Sequence, residues 1–181
     1  MRVDARRNRE RLLTVAGVHF AEHGTGASLE NIAQDAGVGI GTLYRHFETR
    51  QMLIEAMLQT SFERLVERGN ELAGSSTPVD ELTQWSRWLI AAAMSYPNMA
   101  AWTARIIHSS ATLGAVCAEL TSITERLLAR ARAAGTVRPD TRADDLVSLV
   151  NAVAWAAQQP PVDTERAERL LGVLLDGLLA R

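Results

Sequence analysis

Apolar residues recur along this chain at helical spacing, and no stretch alternates as a half-buried strand would. Leu12, Leu13, Ala16, Phe20 and Ala21 mark the inner face of a first helix over Ala5–His23, behind a frayed Met1–Asp4 and ahead of Gly24. Ser28 caps a short helix in which Leu29, Ile32, Ala33 and Ala36 fall at i, i+3, i+4 and i+7. Gly37 stands where a left-handed residue ends a helix, and Val38 packs beneath the turn. A second short helix starts near Gly39 or Ile40 and turns Leu43 and Phe47 inward. Two crossing helices joined by a tight glycine turn form a helix-turn-helix. The second of the pair is the one that enters a DNA major groove.

The same reading continues to the end of the chain. Thr49 caps a long helix, Arg50 to about Leu72, with Met52, Leu53, Ala56, Met57, Thr60 and Leu65 as its stripe and Gly69–Ser76 as a loop. Thr77-Pro78-Val79-Asp80 combines a cap, a proline at the first position and an acid in the first turn. It opens a helix to about Ser95 with Leu82, Trp85, Leu89 and Ala92 on one face. A helix carrying Met99, Trp102, Ile106 and Ile107 follows, then one over Ala111–Ala134 stopped by Gly135. Asp140 or Thr141 caps the next, with Leu146, Leu149, Val150 and Val153, and Asp163 caps the last, with Leu170, Leu171, Leu174, Leu175, Leu178 and Leu179. The expected fold is all-α, about nine helices: a three-helix head over 1–48 and a larger helical domain over 49–181.

Composition narrows the class. Hydrophobic residues make up 47% of 181, enough for a core, and no apolar run reaches the roughly 20 residues that span a bilayer. The charged MRVDARRNRERLL start has no signal core, and a single cysteine, Cys117, suits a reducing cytoplasm. The net charge of −2 announces no nucleic-acid partner, but its distribution does. Residues 1–50 hold seven arginines against six acids, and 51–181 hold twelve against fifteen. Five arginines fall within Met1–Arg11, beside the helix-turn-helix, as a local DNA footprint requires.

The segment from Arg6 to Met57 resembles the TetR family of transcriptional regulators. The resemblance rests on Ala36-Gly37-Val38, Gly41-Thr42-Leu43-Tyr44, Arg45-His46-Phe47, Thr49-Arg50-Gln51-Met52-Leu53, and Ala16, Phe20, Ala21 and Gly24 of the first helix. It implies a ligand-responsive regulator, commonly a repressor, that binds a palindromic operator as a homodimer. With Leu43 and Phe47 inward, Gly39, Ile40, Gly41, Thr42, Tyr44, Arg45 and His46 are left to face DNA, with Ser28 and Glu30 on the preceding helix and Arg6 and Arg7 on the first. The family positions matching Thr42, Tyr44 and His46 commonly touch the backbone. Arg45 suits a phosphate or guanine O6/N7. The chain departs from many relatives in lacking a hydroxyl at Gly39 and a polar side chain at Ile40, which shifts base reading to Arg45 and to Ser28 or Glu30, with more weight on DNA shape. One good bidentate contact discriminates by only about 1–3 kcal/mol, so two heads on a dimer are implied, about 34–36 Å apart.

Trp85, Trp88, Met99, Trp102, Ile106, His108, Cys117 and Trp155 are the candidate effector-binding residues, since apolar walls with few polar groups suit a small molecule. Each also reads as ordinary core. Leu146, Val150, Val153, Leu170, Leu171, Leu174, Leu175 and Leu178 are the candidate dimer residues, because the last helix is apolar over a wider arc than one core face needs. No cofactor or metal is expected. His19 and His23 lie i, i+4 without a third ligand, and no nucleotide-binding or zinc-protease motif is present. The rival classes are a helical protein-interaction module and a small-molecule-binding or enzymatic domain without DNA binding.

Overall fold

The structure is a computed structural model that describes residues 2–72, 74, 77–96, 110–160 and 164–179, with the side chains of 2, 3 and 164 left aside. Among the described residues there are eight α-helices and no strand. They are α1 (Arg2–His23), α2 (Leu29–Asp35), α3 (Ile40–His46), α4 (Arg50–Leu72), α5 (Pro78–Met94), α6 (Ala111–Ala133), α7 (Ala143–Ala157) and α8 (Thr164–Leu178). The helix expected around Met99–Ile107 and the Asp163 cap lie outside the described residues. No described helix is long and apolar enough to cross a membrane.

The chain forms two compact units. The first holds α1–α3, α4 as far as Ser61, Tyr96 and the start of α6 to Leu113. In it α2 packs on α1 and α3 on α2, around buried Leu12, Ala16, Phe20, Ile32, Leu43 and Phe47. Ser28 caps α2 by accepting from the Asn31 amide at 3.2 Å. Gly37 takes a φ of 67°, and the amides of Gly37 and Val38 return to the carbonyls of Gln34 and Ala33 at 2.9 and 3.0 Å. Those paired bonds close α2, and only a residue without a Cβ adopts that backbone cheaply. The chain is thereby free to turn into α3 after three residues.

Along α4 the buried face is offset from the one expected. Ile54 and Leu58 join Leu53 and Met57 inside, whereas Met52 is 43% exposed. Both sets of spacings fit one helix, and packing against the head core selects the Ile54–Leu58 register.

The second unit holds α4 from Phe62, α5, α6 from Gly114, α7 and α8. α5 packs on both α7 and α8, which also pack on each other. Trp85 is fully buried at the centre and donates its indole N–H to the Thr124 hydroxyl at 2.8 Å, which in turn donates to the Leu120 carbonyl at 2.9 Å. Gly69, expected in a loop, sits inside α4. A Cβ there would meet the Trp85 ring at 2.6 Å and Ile123 at 3.1 Å, so the glycine admits the indole against the helix backbone. Glu81 is fully buried, accepts from the Gly74 amide at 2.8 Å and faces Arg130 at 3.2 Å. A buried carboxylate tolerates removal from water only with such partners.

Two caps differ in outcome. Thr77 caps α5 as expected, accepting from the Asp80 amide at 3.3 Å. Neither Asp140 nor Thr141 caps α7; the cap position is Arg142, which makes no side-chain cap bond. Asp140 is held instead by the Arg138 guanidinium at 2.8 and 3.1 Å, which keeps its carboxyl below the usual carboxylate range, and Thr141 is buried. Asp144 and Asp145 in the first turn complement the helix dipole.

Candidate nucleic-acid interface

The seven residues of α3 divide cleanly. Leu43 is fully buried and Phe47, just past the helix, is buried beside it, so the opposite flank must face out. Gly39, Ile40, Gly41 and Arg45 are exposed, Tyr44 is 45% exposed, and Thr42 and His46 are half-buried. Thr42 accepts from the Arg45 guanidinium at 2.8 Å, which presents the two side chains as one hydrogen-bonded pair. A cation placed in the last turn, as Arg45 is, is favoured by the helix dipole.

Around α3 the head supplies further polar groups. Glu30 is exposed on α2 and accepts from the Ser28 hydroxyl at 3.1 Å, while that same oxygen caps the helix. Arg6 and Arg7 are exposed on α1, Arg6 bonded to Glu10 at 2.9 Å. Arg9 lies over the Phe47 ring at 5.4 Å, and His19 bonds Asp35 at 2.8 Å, so α1 is tied both to the end of α3 and to α2. Two of these tethers, Arg9 with Phe47 and His19 with Asp35, carry no sequence signal, because each joins residues far apart in the chain.

The remaining candidates that the structure describes are spread through the second unit. Trp85 is core. Trp88 is half-buried under the Arg68 guanidinium, 4.1 Å from its ring. Cys117 is half-buried, and burial pushes its thiol pKa up, which makes thiolate scarce at neutral pH. Trp155 is 61% exposed, whereas Trp85 is fully buried. Met99, Trp102, Ile106 and His108 lie outside the described residues. Of the candidate dimer residues, Leu146, Val150, Val153 and Leu171 are buried within the second unit's own core; Leu170, Leu174, Leu175 and Leu178 are half-buried against it. The outer faces instead show Leu149 and Trp155 on α7 and Val173, 72% exposed, on α8. Among the described residues no three His, Cys, Asp or Glu side chains gather as metal ligands would.

A helix pair closed by a left-handed glycine, with the second helix clamped by two buried residues and open on its polar flank, is the DNA-binding head of a transcriptional regulator. Comparison with known proteins carries this to a family. Residues 12–57 match the model described as "Bacterial regulatory proteins, tetR family", and residues 77–180 match "Transcriptional regulator SbtR-like, C-terminal domain". The fold superposes on a TetR transcriptional regulator from Streptomyces coelicolor with TM-score 0.76 and 35% identity, over 95% of this chain and 98% of that one. It also superposes on a TetR transcription regulatory protein from Mycobacterium vanbaalenii with TM-score 0.72 and 30% identity, over 99% of each. A curated HTH-type transcriptional regulator of Staphylococcus aureus is 39% identical over 64 residues, which is 35% of this chain and 35% of the relative's length. The chain belongs to the TetR family of transcriptional regulators.

Proposed function

We propose that the protein binds a palindromic operator as a homodimer, represses from it, and is released by a small apolar or aromatic effector. The observation that carries the DNA half is the exposed Ile40–Gly41–Tyr44–Arg45 flank on a helix held from behind by Leu43 and Phe47. Thr42, Tyr44 and His46 donate to phosphates, Arg45 reads a base edge or a phosphate, Ser28 and Glu30 border the groove, and Arg6 and Arg7 neutralise backbone charge. Gly39 and Gly41 let the helix approach closely.

Dimerisation runs through the outer faces of α7 and α8. Leu149, Ala152 and Trp155 recur at i, i+3 and i+6 on α7, all exposed, and Val173 projects from α8 between exposed Gly172 and half-buried Leu174. Large apolar side chains left in water on adjacent helices favour a matching surface. The half-buried Leu170, Leu174, Leu175 and Leu178 complete the seam, while Leu146, Val150, Val153 and Leu171 stiffen it from inside.

The effector binds within the helical domain, residues 49–181, with Trp88 and Cys117 of the second unit as its described candidate contacts. It acts by preferring a state whose heads are spaced wrongly for successive grooves, since a ligand shifts only an equilibrium whose states it binds unequally. The test is operator release: duplexes enriched by the protein from a random pool are bound, then challenged with aromatic and fatty-acyl compounds while tryptophan emission is followed. Release with altered emission supports the reading, and release with unaltered emission rejects the tryptophan-lined site.

A further inference from the structure

Arg50 is the first residue of α4, where the helix dipole disfavours a cation. Among the described residues no carboxylate forms an ion pair with it. Its Nη1 instead donates to the carbonyl of Thr25 at 3.1 Å and to the carbonyl of Ala27. Both bonds are part-buried and reach back 25 and 23 residues. The accepting segment is the α1–α2 connection: a 3-10 turn over Gly24–Gly26, entered at a Gly24 φ of 58° and closed by the Ala27 amide on the Gly24 carbonyl at 3.3 Å. Ala27 is buried, and Ser28, the cap of α2, comes next. On the other side, Arg50 follows Thr49, whose hydroxyl accepts from the Met52 amide at 3.1 Å, and stands four residues after the end of α3. One guanidinium nitrogen therefore closes a ring through the head. It fastens the junction leaving α3 to the junction entering α2.

We propose that Arg50 is a positioning residue for DNA reading: by holding the carbonyls of Thr25 and Ala27 it sets the pose of the α2–α3 pair against the start of α4. The proposal rests on α3 being the reading helix. Its charge is engaged by backbone dipoles inside the head and is not the one that meets a phosphate. Removing it loosens α2 at its first turn and lets the reading flank tilt, while the count of phosphate contacts stays the same.

The test uses the full chain, the best-bound duplex selected from a random pool by the wild-type protein, and Arg50→Ala. Affinity is measured over a salt series, and amide exchange is measured in the free protein. The expected result is at least tenfold weaker binding with a log K against log[salt] slope parallel to wild type. Exchange at Asn31 and Ile32 is at least tenfold faster, and exchange at Ala16 and Phe20 is unchanged. A slope smaller by about 0.9 with unaltered exchange makes Arg50 a phosphate contact and overturns the proposal. Unaltered affinity overturns it too. If Arg50→Ala does not fold, Arg50→Lys is read in the same way: weaker binding with faster exchange at Asn31 and Ile32 supports the strut, and wild-type values in both reject it. A wild-type protein that selects no duplex refutes the reading of α3, and exchange alone then decides whether Arg50 braces α2.

Discussion

The two units end helices by the same device and then show opposite faces to their surroundings. Gly37 closes α2 at φ 67° and Gly135 closes α6 at φ 68°, each with the paired return bonds of its own amide and the next. Beyond that the resemblance stops. The head buries a small apolar set and leaves Tyr44, Arg45 and the α1 arginines in water, groups that can donate to an anionic partner. The second unit gives buried polar groups partners, Trp85 with buried Thr124 and Glu81 with half-buried Arg130, and leaves Leu149, Trp155 and Val173 outside. A polar flank on a short, braced helix suits a duplex; an apolar flank on adjacent long helices suits a second copy. What each unit leaves uncovered, more than its helical content, separates their roles.

That contrast can be broken most forcefully at the centre of the second unit. Trp85→Ala removes its largest buried side chain and is expected to cost about 3–5 kcal/mol, read as a lowered thermal midpoint. A small loss would mean the indole is not the keystone that the Gly69 approach implies. A charge on the apolar flank comes next. Trp155→Asp or Leu149→Asp is expected to leave helicity intact and convert dimer to monomer in sedimentation, since both side chains are exposed in the subunit. On the polar flank, Arg45→Ala is expected to keep fold and dimer while losing about 1–3 kcal/mol of discrimination at one base pair, measured by binding to single-substituted duplexes. Uniform loss across all duplexes would reassign Arg45 to a phosphate. The smallest effect is chemical. With its pKa raised by burial, Cys117 holds less thiolate at pH 7 than free cysteine, so its alkylation is expected to be slower.

Much of the head was legible because its signals are local. The Ser28 cap, the Gly37 turn and the Leu43–Phe47 spacing each lie within a few residues, and the structure places all three as the spacing predicts. The misses share one cause. Met52 and Ile54 suit the same helix equally, and only the neighbouring core decides which goes in. Asp140 looks like a cap until Arg138 takes it, and Gly69 looks like a loop residue until Trp85 needs the space. Leu146, Leu149, Val150 and Val153 read as one apolar set on α7, and burial alone separates Leu146, Val150 and Val153, which face inward, from Leu149, which does not. The bond of Arg50 to carbonyls 23 and 25 residues earlier has no counterpart in any short motif.

The most direct measurement is selection of bound duplexes from a random-sequence pool by the full-length protein, followed by sequencing. Two α3 helices on a twofold axis should select an inverted repeat whose half-site centres are one helical turn apart, about 34–36 Å. Enrichment of a single unrepeated site, or of no sequence at all, would contradict it.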